Sequence, residues 1–225
     1  MTMPRITASK EDYLKTIAEA GEEGVPVIAA QVARRLGVSA PAVAMAVRRL
    51  GRDGLIRVGA HGHITLTPAG RRIADRLRFR HILIERMLAE VFDMEWYKVH
   101  EEAERLEHAV SEDFERRLVR VLGAGKPCPH GDLPGRASEG ERRRMGWKPL
   151  AEAAAGERVV AVSVFDRDRK LLEYFDGLGL RPGVRLSLSS RNRDETFTLR
   201  IANRRVHLGR RAAAAVWVRP DDRPS

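Results

Sequence analysis

Apolar positions recur along this chain with two periods, and the changes of period divide it into segments. Behind Ser9-Lys-Glu-Asp12, which has capping-box spacing with Asp12 in the place of Glu, residues Tyr13, Leu14, Ile17 and Ala18 stand at helical intervals and predict a helix over residues 9–20. A second stripe, Ile28, Val32 and Leu36, points inward until Gly37 breaks it. Ser39 then caps a third helix, about 40–52, whose first turn tolerates Pro41 and whose inner stripe is Val43, Val47 and Leu50. Helix, glycine turn, helix is the helix-turn-helix pattern, and its second helix leaves Ser39, Ala42, Met45, Arg48 and Arg49 outward. The period then falls to two, and the runs Asp53 to Val58 and His63 to Thr67 flank a glycine turn, so they predict a hairpin with His61 and His63 exposed in it. A hairpin directly after a recognition helix makes a winged helix, which sets that helix's N-terminus in the major groove and its flank on phosphate. An ordinary three-helix core is the alternative.

Thr67 and Pro68 open a long helix that runs through Ile73, Leu77, Ile84 and Leu88 to about Val91. Its apolar positions lie on more than one side, as in a helix that also packs against a partner chain. Asp93 is read as the cap of the following helix, and Ser111 as the cap of another over 112–122 with Phe114, Leu118 and Val121 inward. Residues 123–158 are rich in Gly and Pro, Gly135 among them, and read as a tether. Strands follow at 158–164, 184–188, 196–201, 206–208 and 216–218, with a helical piece around 168–178 and an Ala212–Ala215 run, and suggest a small barrel. The expected fold is therefore mainly α with small β parts: a winged helix-turn-helix over 1–70, a helical dimerisation segment over 71–123, a tether over 124–158 and a β domain over 159–219.

Composition narrows the function. No run approaches the ~18 apolar residues of a membrane span, and the first six residues lack a signal peptide's apolar core, which favours a cytoplasmic address. The single cysteine, Cys128, excludes an intrachain disulfide and a thiolate zinc cluster. The net charge of +10 favours a polyanion, although an arginine-rich coding bias gives the same total. It is uneven: residues 1–75 carry 11 basic and 7 acidic groups, residues 76–180 carry 19 and 20, and residues 181–225 carry 11 and 4.

Candidate chemistry concentrates in the least basic part. At roughly 100° per residue a helix over 98–108 puts His100, Glu104, Glu107 and His108 on one stripe, and His81 and Glu85 stand four apart in another helix. Carboxylates crowded this way repel one another by about 1 kcal/mol or more per close pair; a divalent cation reverses that sign. The alternative is a salt-bridge network facing a partner. Cys128-Pro-His130 is two ligands without a second pair, and reads as an ordered turn.

Together, Asp12-Tyr13-Leu14, the winged helix, His81-x-x-x-Glu85, Val99-His100-x-Glu102-Ala103-x-x-x-Glu107-His108 and Cys128-Pro-His130-Gly131 resemble the DtxR/MntR family of metal-dependent transcriptional repressors over almost the whole chain. The resemblance implies a homodimer on a palindromic double-stranded operator, a C-terminal SH3-like domain of the FeoA type, and no small-molecule substrate. It implies a primary site of Asp12, Glu104, Glu107 and His108, and an ancillary site of His81, Glu85 and His100 with Asp166 from the C-terminal domain, Asp168 being the rival for that place. Ser39, Pro41, Ala42, Met45, Arg48 and Arg49 are the residues expected at DNA. Iron-sensing members carry Met and Cys where Asp12 and Glu104 stand, and hard oxygen ligands suit Mn(II). The implied cofactor is thus Mn(II), with Fe(II) the alternative and Zn(II), Co(II) or Cd(II) able to substitute in vitro. Lys15 stands where short manganese regulators have a second carboxylate, and Met45 where the iron branch has glutamine. The implied function is a Mn(II)-activated repressor of metal-ion transport genes. An Fe(II)-responsive regulator, a constitutive DNA-binding protein with a storage or structural metal site, and, from another class, a divalent-metal hydrolase are the alternatives. The hydrolase lacks a recognisable zinc-protease or nucleophile motif.

Overall fold

The computed structural model describes residues 7–22, 24–134, 138–193 and 195–221, so the expectations for residues 1–6 and for Gly135 lie outside the described residues. The first three helices are α1 (Ala8–Glu22), α2 (Ala29–Leu36) and α3 (Ala40–Arg52), followed by strands β1 (Ile56–Val58) and β2 (Ile64–Leu66). α1 starts one residue ahead of Ser9, with the Lys10 and Glu11 amides on the Thr7 carbonyl. Ser39 caps α3 and accepts from the Ala42 amide, and Gly37 ends α2 in the left-handed conformation, as their residue types require. β1 and β2 pair antiparallel as the wing, Ile56 opposite Leu66. Leu14, Ile17, Val32, Val43, Leu50, Ile56 and Ile64 form one apolar core. Ile28 is not part of it: it occupies the N-cap position of α2, faces solvent, and cedes the buried place to Val27.

α4 (Pro68–Glu90) is a rod shared by two cores. Thr67 caps it, accepting from the Gly70 amide. A Cβ on Gly70 would fall 2.0 Å from the Leu55 carbonyl oxygen, so glycine there lets α4 lie directly on the end of the winged unit. Ile73 and Ala74 belong to the first core, while Leu83, Ile84 and Leu88 join Val99, Leu118 and Leu122 in a second. The latter residues come from α5 (Val99–Leu106) and α6 (Glu112–Leu122). Arg86, 1% exposed, donates to the Leu122 and Gly123 carbonyls and so satisfies the open end of α6. Asp93 does not cap α5; it sits at φ 52° in a turn, and α5 begins only after Lys98. Phe114 and Val121, expected inward, are exposed, the latter at 74%. α6 lays Leu118 and Leu122 on α4 and turns those two residues outward.

The remaining elements are α7 (Glu139–Arg144), β3 (Lys148–Pro149), β4 (Arg158–Val164), α8 (Arg169–Leu178), β5 (Arg185–Arg191), β6 (Thr196–Ile201), β7 (Arg204–Gly209), α9 (Arg210–Ala214) and β8 (Val216–Pro220). The strands form one antiparallel sheet in the order β3-β8-β4-β5-β6-β7, around a third core that includes Leu172, Phe175 and Phe197. This is the expected SH3-like, FeoA-type part. The Ala212–Ala215 run lies largely in α9. The stretch expected to be a tether is more ordered than its Gly and Pro content suggested: it contains α7, β3 paired with β8, and a buried turn at Cys128–His130. Asp168 caps α8 by accepting from the Leu171 amide. No helix among the described residues is long and apolar enough to cross a membrane.

Candidate metal centre and DNA-reading face

α1 crosses α4, and the face of α1 bearing Asp12 and Lys15 meets the end of α5. α5 closes with a tight turn, in which the Ala109 amide bonds the Leu106 carbonyl, and Glu107 and His108 lie past its last helical residue. The four-residue stripe read from the sequence is therefore split. His108 turns to α1, with Nε2 2.8 Å from Asp12 Oδ1 and Nδ1 2.8 Å from Glu11 Oε2. Asp12, Glu107 and His108 offer ligand atoms all within 4.8 Å of one another. Glu104 stays at the rim, its carboxylate 53% exposed, 3.6 Å from Lys15 Nζ and 3.7 Å from His100 Nε2.

A second cluster surrounds Glu85, which is fully buried. Its Oε1 lies 3.1 Å from His81 Nε2, 3.1 Å from His100 Nδ1 and 3.2 Å from His130 Nδ1. Asp166 Oδ2 stands 3.5 Å from His100 Nδ1, and the Cys128 thiol completes a set with Glu85 and His130. His130 and Cys128 were not counted as ligands from the sequence, where they form an isolated pair. The fold brings them to Glu85, 45 and 43 positions upstream respectively. The expected turn is present, with the Gly131 amide on the Cys128 carbonyl. Gly131 has φ 89°, and a Cβ there would fall 1.9 Å from the Val162 carbonyl oxygen, so the turn sits against β4 at no distance a side chain permits.

The two clusters touch. His81 Nδ1 is 2.6 Å from Glu107 Oε2, and Lys15 Nζ donates to both Glu107 oxygens. Burial opposes charge on Glu107, but His81 and Lys15 outweigh it and hold its pKa below the ordinary value. Burial also opposes charge on Lys15, and Glu107 and Glu19 keep its pKa raised. At the second cluster, the neighbouring imidazoles overcome burial and hold Glu85 well below the usual carboxylate range. Burial lowers His81, His100, His108 and His130, and the adjacent carboxylates more than reverse this. Burial beside Glu85 pushes the Cys128 thiol well above its ordinary value.

The donor set fits a divalent cation. His130 Nε2 donates to the Trp96 carbonyl, which in a neutral ring leaves the Nδ1 lone pair facing Glu85 Oε1 without a hydrogen bond. Glu85 Oε2 is likewise buried and unpartnered. Orphaned acceptors in the interior are costly, and an ion that takes up both removes the cost. The Asp12, Glu107 and His108 set is hard oxygen and imidazole, whereas the Glu85, Cys128 and His130 set includes a soft sulfur.

α3 leaves Ser39, Pro41, Met45, Arg48 and Arg49 exposed and Ala42 half-buried, on the face expected at DNA. Met45 is 59% exposed.

Known proteins match the chain in each of its three parts. Residues 5–64 match the model of the iron dependent repressor N-terminal DNA binding domain, residues 67–133 that of the iron dependent repressor metal binding and dimerisation domain, and residues 148–220 the FeoA domain. The iron-dependent repressor IdeR of Mycobacterium tuberculosis is 39% identical over 181 residues, covering 78% of this chain and 76% of that protein. A manganese-dependent transcriptional repressor solved with manganese superposes with a TM-score of 0.81 at 32% identity, over 94% of this chain and 99% of that one. The manganese regulator SloR does so with a TM-score of 0.75 at 28% identity, over 96% and 100%. A DNA-binding head, a helical metal-binding and dimerisation body, and a C-terminal FeoA part are thus the domains of repressors rather than enzymes, and the chain belongs to the DtxR/MntR family of metal-dependent, DNA-binding transcriptional repressors.

Proposed function

We propose that the chain is a Mn(II)-responsive repressor of metal-ion transport genes, acting in the cytoplasm as a homodimer on a palindromic operator. The observation that carries this reading is the contact between Asp12 and His108, 2.8 Å apart, which joins the helix of the reading head to the ligand set of the body. A bound divalent cation supplies the positive charge that lets Asp12 and Glu107 share one site without repulsion. Asp12 then holds α1, and through the first core α3, in a fixed orientation to the body. In a two-fold dimer that orientation sets the separation of the two recognition helices, which must equal one helical turn of DNA. Metal and operator thereby favour the same state, and each tightens binding of the other.

The first centre combines Asp12, Glu107 and His108, with Glu104 at its rim. The second combines Glu85, His81, His100, Cys128, His130 and Asp166. The absence of sulfur from the first set favours Mn(II) as the regulatory ion; the iron-dependent relatives make Fe(II) the second reading. The exposed Phe92, Phe114 and Val121 beside the helical core support a dimer through this segment. Ser39, Pro41, Ala42 and Met45 are proposed to meet bases and Arg48 and Arg49 phosphate.

The test is binding of the full chain to duplexes that it selects from a random pool, titrated with Mn(II), anaerobic Fe(II), Zn(II) and Co(II). Mn(II) is expected to raise affinity at least tenfold in the wild type and to leave Asp12→Ala unresponsive. An Asp12→Ala protein with undiminished metal dependence would overturn the coupling.

A further inference from the structure

The apolar cores of the reading head and of the C-terminal sheet share no residue. Yet the two regions meet at a charged seam. Arg167, in the connection between β4 and α8, places its guanidinium 2.9 Å from Glu19 on α1. Glu19 lies seven residues after Asp12 and four after Lys15, so all three share one face of that helix. Around this pair, Glu22 of α1 binds Arg78 of α4 at 2.9 Å, and Arg78 reaches Asp132 at 3.5 Å. Asp132 is held from the other side by Arg142 at 2.7 Å and by the Ser163 hydroxyl at 3.0 Å. Glu19, Glu22, Arg78, Asp132, Arg142 and Arg167 line a cleft of about 420 Å³ where head, body and C-terminal region converge.

A single peptide bond separates the two ends of this seam. Asp166 turns its carboxylate to His100 in the second cluster, and its neighbour Arg167 turns to the head. The residue pair 166–167 therefore has one side chain at each place, and a shift of the backbone that draws Asp166 toward the cluster changes where Arg167 can reach.

We propose that Arg167 and Glu19 form a second latch on the reading head, so that the seating of Asp166 at the second cluster bears on the orientation of α1 independently of Asp12. The proposal rests on the reading of the clusters as metal centres. Both residues are positioning residues; neither touches the ion or the DNA in it.

The experiment uses charge reversal in the full chain: Arg167→Glu, Glu19→Arg and the double reversal. Three quantities are read: the Mn(II) concentration giving half-maximal binding to duplexes selected by the wild type, Mn(II) affinity and stoichiometry without DNA, and hydrogen exchange of the α1 amides. Each single reversal is expected to raise the Mn(II) midpoint for DNA about fivefold or more, the lower end of ordinary coupling between sites. It should also speed exchange in α1 while leaving metal stoichiometry unchanged. The double reversal, which restores opposite charges, is expected to return to within about twofold of the wild type. Single reversals with wild-type midpoints and exchange overturn the latch, as does a double reversal no better than the worse single one. If the wild type itself binds DNA without regard to metal, the regulatory reading fails, and the exchange data alone decide the latch by the same rescue criterion.

Discussion

Lys15 of the first helix donates to both oxygens of Glu107, at 2.8 and 3.0 Å, so a fixed ammonium already links reading head to body at the edge of the cluster of Asp12, Glu107 and His108. The pair is buried, with side-chain exposures of 10% and 2%. Breaking a buried pair leaves an uncompensated charge and typically costs several kcal/mol; His81 remains beside Glu107 and softens the loss. Lys15→Met is expected to lower unfolding stability by about 2–3 kcal/mol with chelator present, and by clearly less in Mn(II), where a cation stands in for the lost charge. Denaturant melts under both conditions measure this, and equal losses would show that Lys15 and the metal do not share Glu107.

The second centre differs from the first in its sulfur. Cys128→Ser is expected to abolish the thiolate-to-metal charge-transfer absorption of the Cd(II)-loaded protein and to weaken Cd(II) at that centre about tenfold or more, while Mn(II)-dependent DNA binding changes little. Ultraviolet titration and calorimetry of the two proteins separate these outcomes. A wild-type protein with no such band would remove Cys128 from the ligand set.

Protons and metal compete at the histidines. His81, His100, His108 and His130 have pKa values raised above the ordinary 6.5, because carboxylates that favour the charged rings outweigh burial. In chelated protein their contribution to stability is full below pH 6.5 and is lost as pH rises through the raised values. The carboxylate partners Glu85, Glu107 and Asp166, held below their usual range, contribute above it and lose that contribution as pH falls through the depressed values. Metal binding runs the other way from the histidine term: affinity is expected to climb as pH rises past the ordinary histidine value, with proton release on binding. Calorimetry in buffers of different ionisation enthalpy measures the protons released, and release near zero at pH 6.5 would remove the histidines as ligands.

Val121 on α6 is 74% exposed, in the segment proposed to dimerise. Val121→Asp is expected to shift the sedimentation of the full chain toward the monomer and to leave its thermal unfolding within a few degrees, since the side chain is not in the protomer's core. An unchanged dimer would move the interface elsewhere.

At DNA, Arg49→Ala is expected to weaken binding to all duplexes alike and to reduce the slope of log affinity against log salt by about 1, as for one phosphate contact. Met45→Ala is expected instead to alter base preference at one position per half-site with an unchanged salt slope. Selection from a random pool reads both.

The winged unit was legible because each of its boundaries is a local chemical signal. Gly37, Ser39, Thr67 and Pro68 stop or start elements by their own backbone preferences, and the structure honours all four. The position of Ile28 was misread because periodicity cannot tell a cap from a first turn. Phe114 and Val121 are read inward for a related reason: an apolar residue on an exposed face of a helix can have the same spacing as one facing the core. Of the two candidate metal clusters, helical spacing shows His81 with Glu85 and the stripe of His100, Glu104, Glu107 and His108, whereas Asp12 and Asp166 enter only through the family resemblance. His130 and Cys128 reach Glu85, and Asp166 reaches His100, through tertiary contacts of long sequence separation, and Glu11 is hidden beside Asp12 because spacing alone does not show that both adjacent carboxylates meet His108. Residues 123–158 look like a linker by composition, since turns that carry buried ligands use the same Gly and Pro as turns that carry none.

Gly131 shows what that ambiguity conceals. With no room for even a methyl group between its Cα and the backbone of β4, and with the Val164 amide bonded to the His130 carbonyl, the turn and the strand are one surveying point from which three donors are laid out: Cys128 and His130 on one arm, Asp166 on the other. Gly131→Ala alters no donor atom, yet it is expected to pry the two arms apart and so dismantle the second cluster while every candidate ligand stays in the sequence.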